Sequence, residues 1–292
     1  MPKTILLTGA TGFLGSHLLE ALLREKYQVV ILKRSTSDTW RIAHLLERMK
    51  SYDVDKGPVS RAFEDQRIDV VMHTACHYGR NADPLSAVVQ TNILFGLQVL
   101  EASMQFNADT FFNADTLLPK YLNTYTLSKK QFVEWLRQNS SAIQVVNMKL
   151  EHMYGPKDDE AKFIPWILSQ FDAKVPEIKL TLGQQQRDFI YVDDVVSAYL
   201  KVLQEKESLP EFSEFDVGTG ELVRLQEFLV RLKKVYEGRF GFVPTELRFG
   251  AIPYRQGEMM SVEVDNRRLL KLGWNWKFDQ ASGIERLLGV NK

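Results

Sequence analysis

The sequence predicts an α/β fold: a doubly wound parallel sheet with a smaller C-terminal lobe. Two observations carry that reading. Short apolar runs alternate with helix-period segments up to about residue 150, the order a parallel sheet covered on both faces requires. Beyond Glu151 the alternation breaks, and Pro156, Pro165, Pro176, Pro210, Pro244 and Pro253 punctuate shorter elements. A chain of 292 residues has room for one large domain and a lobe. The expected division is residues 1–150, rejoined by 184–205, and residues 151–292.

Ile5 to Leu7 reads as a buried first strand, and three glycines follow it in Gly9-Ala10-Thr11-Gly12-Phe13-Leu14-Gly15. His17 to Leu23 then has the apolar spacing of a helix packed on a sheet. A strand that turns through glycines into a helix leaves backbone N–H groups and the positive helix end facing one point. That point suits a pyrophosphate. Glycine is needed where a Cβ would block the turn or hold the phosphate away. Gly9, Thr11, Gly12, Phe13, Leu14 and Gly15 are the candidate contacts, although a plain turn before a helix would use the same glycines.

Gln28 to Leu32 reads as the second strand and runs into Lys33-Arg34-Ser35. A ribose 2′-hydroxyl is usually held by Asp or Glu at this position, whereas a 2′-phosphate suits a basic residue. No acid follows until Asp38, so NADP(H) is expected over NAD, with Lys33, Arg34 and Ser35 as contacts. A solvated basic loop is the alternative. Trp40 to Met49 is expected to be helical. Val70 to His73 reads as a strand, Pro84 to Met104 as a long helix and Thr110 to Phe112 as a strand. Tyr125 to Leu136 reads as a helix and Gln144 to Leu150 as a strand. His73-Thr74-Ala75-Cys76-His77 has the residue types of a zinc site. His73, however, ends an apolar strand and no fourth ligand lies nearby, so no metal is expected.

Tyr125 and Lys129 stand four apart at the start of a helix, hence on one face. An ammonium beside a phenol stabilises the phenolate, and the lowered pKa makes tyrosine a usable proton donor or acceptor. The rest of the composition mainly excludes. With 37 basic and 37 acidic residues, charge gives no case for nucleic acid or an anionic membrane. A hydrophobic fraction of 45% with 25% charged residues is ordinary for a core-forming protein. The single cysteine, Cys76, rules out an intramolecular disulfide. No apolar leader and no run of membrane-spanning length is read, so the cytoplasm is the expected compartment.

Gly9-x-x-Gly12-x-x-Gly15 with Tyr125-x-x-x-Lys129 resembles the extended short-chain dehydrogenase/reductases, enzymes built on a Rossmann sheet. Met153 to Pro156, Arg187 to Val195 and Asn266 to Trp274 resemble the nucleotide-sugar epimerase and dehydratase branch. His73 to Arg80 with Lys149 to Tyr154 is most similar to the CDP-abequose and CDP-paratose synthase-like 4-ketoreductases. The resemblance implies an NADP-binding first domain, a nucleotide-sugar-binding lobe and a homodimer formed through the helices 84–104 and 125–136. It implies reduction of the C4 keto group of a 4-keto-6-deoxy or 3,6-dideoxy hexose, CDP- or dTDP-linked, for O-antigen sugars.

In residue terms, the resemblance makes Tyr125 the proton donor at O4, and Lys129 the group that tunes it and holds the nicotinamide ribose. It sets Thr74, Ala75, Cys76 and Asn92 beside the cofactor and Asp53 at the adenine; helix packing for Asn92 and a turn for Asp53 are the alternatives. Arg187 and Arg255 would grip the diphosphate, as planar forks suit phosphate oxygens. Glu258 would lie near the nucleotide ribose, although Arg255 and Glu258 could equally form a surface ion pair. Tyr78, Asp115, His152 and Phe163 would line the substrate. Two departures stand out. Ala114 falls where relatives carry Ser or Thr, and His152 where many carry asparagine. Thr116 is expected to replace the missing hydroxyl, because it donates a hydrogen bond without adding negative charge, whereas an ionised Asp115 would repel a forming alkoxide. A C4 epimerase with retained NAD and a non-catalytic NADP-binding regulator are the competing functions.

Overall fold

The computed structural model describes residues 3–80 and 83–289. The chain divides into two compact units, Met1–Leu150 with Ala198–Asp216 and Glu151–Ser197 with Val217–Lys292. In the first unit, strands β1 (Thr4–Thr8), β2 (Gln28–Lys33), β3 (Lys50–Asp53), β4 (Val70–His73), β5 (Thr110–Thr116) and β6 (Gln144–Leu150) join one sheet. With β11 (Phe212–Val217) the order is β11-β6-β5-β4-β1-β2-β3. Leu6 pairs in register with Val30 and Val71, and Phe112 with Met72 and Val146, all between parallel strands. Every residue of β1 is buried, as expected of a strand covered on both faces. The direction of winding reverses between β1 and β4. Their carboxyl ends therefore flank the crevice where such sheets bind ligands.

Strand residues of opposite parity feed two cores. Leu6, Val30, Val71, Phe111 and Val145 pack with Val99, Leu100, Phe132 and Leu136, which lie on α4 (Phe95–Gln105) and α5 (Thr124–Gln138). On the other face, Leu18, Leu19 and Leu22 of α1 (Phe13–Arg24) are buried, and Phe112 meets Tyr199 of α7 (Val192–Glu205) at 6.3 Å between ring centroids. A short α2 (Arg61–Glu64) and the helix run beginning with α3 (Leu85–Val89) complete the unit.

Three expectations are corrected here. Residues 40–49 form no α-helix; Ala43–Arg48 is a 3₁₀ turn, with only Ile42 and Leu45 of that stretch buried. Apolar residues three apart suit three residues per turn. The following β3 had no apolar signal, being half-exposed at the sheet edge. The long helix of residues 85–105 contains a π-helical turn, Gln90–Leu94, between α3 and α4. That same 21-residue run is, among the described residues, long and apolar enough to cross a membrane by length and composition, contrary to expectation. Here Val88, Val99, Leu100 and Ala102 of the run are buried in the unit.

In the second unit, β10 (Phe189–Tyr191) pairs parallel with β7 (His152–Tyr154), and β13 (Glu246–Phe249) parallel with β8 (Glu177–Leu180). Strand β12 (Val223–Arg224) pairs antiparallel with β9 (Gln186–Arg187). An aromatic core of Tyr154, Phe171, Phe189, Tyr191, Phe228 and Tyr236 joins these ladders to α6 (Phe163–Asp172), α8 (Leu225–Phe240) and α10 (Gln280–Gly289). The preceding short helix α9 (Arg267–Lys271) buries Leu269. Two acids of the segment Arg187 to Val195 act as staples. Asp188 accepts bonds from Thr219 N–H, Thr219 Oγ1 and Gly220 N–H at 2.7–3.0 Å. Asp194 accepts from the N–H groups of Lys277 and Phe278 at 2.7 and 3.0 Å.

Candidate active site

The glycine turn has the geometry of an anion cradle. Gly9 has φ +70°, and a Cβ there would stand 2.6 Å from Ala75 N. A Cβ on Gly15 would stand 2.0 Å from the Gly9 carbonyl oxygen. Only glycine fits either position, and the turn closes through Gly12 N–H to Gly9 O at 2.9 Å. Gly12 is the N-cap of α1 and offers no side-chain cap, and the first turn of the helix holds no acid. Its first N–H groups, Phe13 and Leu14 among them, thus have no capping carboxylate and suit a pyrophosphate.

The loop after β4 is held against this turn. Thr8 Oγ1 accepts from the N–H groups of Thr74 and Ala75, both at 3.2 Å. Its own proton therefore goes to His73 Nδ1 at 3.0 Å, which puts the neutral ring's proton on Nε2. Burial, with the charge of Lys129 adding, pushes the His73 pKa down to about 3. His77 points elsewhere, its Nδ1 accepting from Gly79 N–H at 3.0 Å. Among the described residues no group of three or more His, Cys, Asp or Glu is placed to hold a metal.

Asn92 has no exposed surface, and its side chain is a strut. Its amide oxygen accepts from His77 N–H at 2.6 Å, and its nitrogen donates to His77 O and Ser128 Oγ, each at 2.8 Å. The π-helical turn carries this residue inward. Asn92 thus joins the loop containing Cys76 to helix α5.

Helix α5 begins with a capping box that the sequence reading missed. Asn123 Oδ1 accepts from Thr126 N–H at 2.9 Å, and Thr126 Oγ1 accepts from Asn123 N–H at 3.1 Å. The signal was present as Asn123 three residues before a hydroxyl at a helix start. The cap fixes the first turn, which carries Tyr125, and one turn later Lys129, which is 1% exposed. Tyr78 covers Tyr125 at 4.9 Å between ring centroids.

The expected lowering of the phenol pKa does not occur. Burial pushes Tyr125 well above its usual value, with Cys76, Asp115 and Tyr199 adding, while burial pushes Lys129 down. Loss of water disfavours both charged forms; the neighbours of Tyr125 add to its shift, while Cys76 and Asp115 only partly offset that of Lys129. The pair is set to hold Tyr125 protonated.

At the end of β5, Ala114 is buried and its neighbour Asp115 is committed. Asp115 Oδ2 pairs with Lys130 Nζ at 2.7 Å and accepts from Asn147 Nδ2 at 3.2 Å. Lys130 also donates to the Thr116 carbonyl. Thr116 Oγ1 accepts from Leu118 N–H at 3.2 Å, which leaves its own proton to donate.

The acid absent from the end of β2 arrives from the next strand. Lys33 is ion-paired with Asp53, which also lies 3.5 Å from Lys56. Asp55 accepts from Ser35 N–H and Ser35 Oγ at 2.7 and 2.5 Å. Arg34 is exposed, with no ion pair among the described residues.

In the second unit, Glu258 pairs with Arg187 at 2.9 Å, not with Arg255. Arg187 is buried, whereas Arg255 is exposed and joins Glu258 only through a turn, Glu258 N–H to Arg255 O at 3.0 Å. His152 Nδ1 lies 2.9 Å from the buried Glu151 carboxylate. Phe163 opens α6 with its ring exposed, 6.2 Å from that of Trp166.

A model of the NAD dependent epimerase/dehydratase family matches residues 5–218. The chain belongs to this family. Two relatives of the epimerase/dehydratase family align with almost all of it. CDP-abequose synthase of Salmonella typhimurium is 36% identical over 296 residues, covering 99% of this chain and 98% of its own. CDP-abequose synthase of Salmonella muenchen is 32% identical over 299 residues, with the same shares. The crystal structure of Thermus thermophilus UDP-glucose 4-epimerase in complex with NAD matches with a TM-score of 0.81 over 98% of both chains. At 23% identity that likeness is one of fold. As an epimerase/dehydratase family member the protein is an NAD(P)-dependent enzyme of the oxidoreductase type.

Proposed function

We propose that the protein reduces the C4 keto group of a CDP-linked 4-keto-6-deoxy or 3,6-dideoxy hexose with NADPH. The observation that carries this is the placement of Tyr125 one turn before the buried Lys129 on a capped helix, where burial raises the phenol pKa. Reduction of a ketone needs a proton donor at the oxygen, and a phenol held protonated is one. Oxidation of a hydroxyl, the first step of epimerisation, needs the phenolate instead. The nucleotide is taken from the two CDP-abequose synthases, each aligned over 99% of this chain.

The first unit would bind NADPH, its glycine turn and the start of α1 holding the pyrophosphate. Arg34 would meet the 2′-phosphate, Lys129 the nicotinamide ribose, and the 74–76 loop the wall beside it. When bound, the cofactor supplies the two electrons and the hydrogen that reduce the carbonyl carbon. Tyr125 gives its phenol proton to the oxygen, and the Lys129 ammonium stabilises the phenolate left behind. Thr116 holds the same oxygen by its hydroxyl. The second unit would bind the nucleotide sugar, with Arg187 and Arg255 on the diphosphate and Glu258 orienting Arg187.

One observation favours a second reading. Lys33 is neutralised by Asp53, and a carboxylate at that strand end suits the 2′-hydroxyl of NAD, as a 4-epimerase retaining its cofactor would need. Purified protein is to be denatured and any released nucleotide identified. CDP- and dTDP-4-keto-6-deoxyhexoses are then offered with NADPH and with NADH. Stoichiometric NADPH oxidation with the CDP sugar is the expected result. Co-purified NAD with no net oxidation would replace the reductase by the epimerase.

A further inference from the structure

The loop after β2 carries a second guanidinium back to the glycine turn. It leaves the sheet through a turn closed by Ser37 N–H to Arg34 O at 3.0 Å, with Arg34 N–H donating to Ser37 Oγ at 3.1 Å. Trp40 N–H then donates to Asp38 Oδ1 at 3.0 Å, and Ile42 enters the core with no exposed surface. Between these anchors, Arg41 Nη1 donates to the carbonyl of Thr11 at 3.2 Å. The Arg41 guanidinium also lies over the Trp40 ring, 4.5 Å from its centroid. Thr11 stands between the first two glycines of the turn. Arg41 is thus fixed at the crossing from β1 to α1, at the far end of the loop that Arg34 opens after β2.

We propose that Arg41 is a specificity-determining residue, forming with Arg34 a two-guanidinium clamp for the 2′-phosphate of NADPH. The assignment rests on the NADPH reading above and deepens it. Lys33, Arg34 and Ser35 were the expected contacts there, yet the Lys33 ammonium is tied to Asp53. Arg41 is held in place before any ligand arrives, by a backbone carbonyl on one side and an indole face on the other. A side chain already ordered loses little entropy on binding. Its planar fork suits phosphate oxygens better than an ammonium does. A ribose with only a hydroxyl at the 2′ position gives the two cations nothing to neutralise, so the clamp separates NADPH from NADH.

The probes are 2′,5′-ADP and 5′-AMP, which differ only by the 2′-phosphate, titrated calorimetrically into the full chain. Wild type is expected to bind 2′,5′-ADP the more tightly. Arg41→Ala should weaken 2′,5′-ADP about 10- to 100-fold, the loss of one to two charged hydrogen bonds. Its 5′-AMP affinity should change less than about threefold, which also shows that the variant is folded. Arg41→Lys should fall between, keeping charge but losing the fork. An unchanged ratio of affinities in Arg41→Ala overturns the assignment. Equal weakening of both ligands also overturns it, because Arg41 would then only brace the turn. If wild type itself shows no preference for 2′,5′-ADP, the NADPH reading has failed, and that result appears before any variant is tested.

Discussion

Burial keeps the Tyr125 proton on its oxygen until a stronger base forms beside it. Tyr125→Phe should retain NADPH binding and lower kcat by about 10²–10⁴, the usual range for loss of general acid catalysis; near-wild-type turnover would place the donor elsewhere. Thr116→Val should lower kcat/KM by about 10–10³, as removal of one oxyanion donor does. Asp115→Asn is expected to act differently. It strips Lys130 of its counter-ion and should cost about 1–3 kcal/mol of stability, visible in denaturant melts. Silent Thr116→Val with a folded but inactive Asp115→Asn would reverse the two roles. His73 supplies a pH test. Its pKa of about 3 in the fold lies below the ordinary histidine value of about 6.5, so the unfolded chain takes up the proton first. Stability from this group is complete above about pH 6.5 and is lost as pH falls towards 3, at up to about 1.4 kcal/mol per pH unit. The advantage of wild type over His73→Asn should shrink across that window; parallel stability curves would exclude it. Tyr125 and Lys129 were legible because a helix makes neighbours of residues four apart. Arg41 and Lys130 were not, since their partners Thr11 and Asp115 lie 30 and 15 residues away.

Helix α5 shows how an element can place a site. Its start is fixed by Asn123 and Thr126 and not by propensity, since Thr124 and Tyr125 are indifferent helix formers. Asn123→Ala should cost about 1 kcal/mol, lowering Tm by roughly 2–4 °C, while Asn123→Asp should hold it; equal melting of all three proteins would show the cap to be idle. Strong apolar runs made β1, β2, β4, β5 and β6 readable in the sequence. The helix misread over 40–49 and the missed β3 have one physical source. Residues 40–53 form a half-exposed edge, where no buried face imposes a period: Ile42 and Leu45 alone enter the core there, and Lys50 and Ser51 of β3 are exposed. The π-helical turn at Gln90–Leu94 was equally invisible, because one wide turn leaves the apolar pattern of a long helix intact.

Taken whole, the first unit exposes apolar side chains on its helix run and on α5, the elements expected to form a dimer face. Leu85, Val89 and Leu94 are 67%, 45% and 44% exposed, and Trp135 is 51% exposed. We propose that this face pairs two copies of the chain. Light scattering should then return about twice 33.7 kDa, and Leu94→Glu should return the single-chain mass; a single-chain mass for wild type would dismiss the pairing. The break in rhythm after Glu151 was visible in the sequence. A return was expected over 184–205; the point at Ala198 lies inside α7, where no proline or glycine interrupts the helix to mark it. That return has a consequence for synthesis. Strand β6 meets its outer neighbour only through late residues: Val145 N–H bonds to Glu211 O at 2.7 Å, and Lys149 pairs with Asp216 at 2.6 Å. A ribosome adding about 5–20 residues per second therefore leaves β6 as a bare edge for several seconds while Glu151–Ser197 is made. Nascent chains stalled before Phe212 should pair edge to edge and sediment, whereas chains released after Val217 should stay in the supernatant.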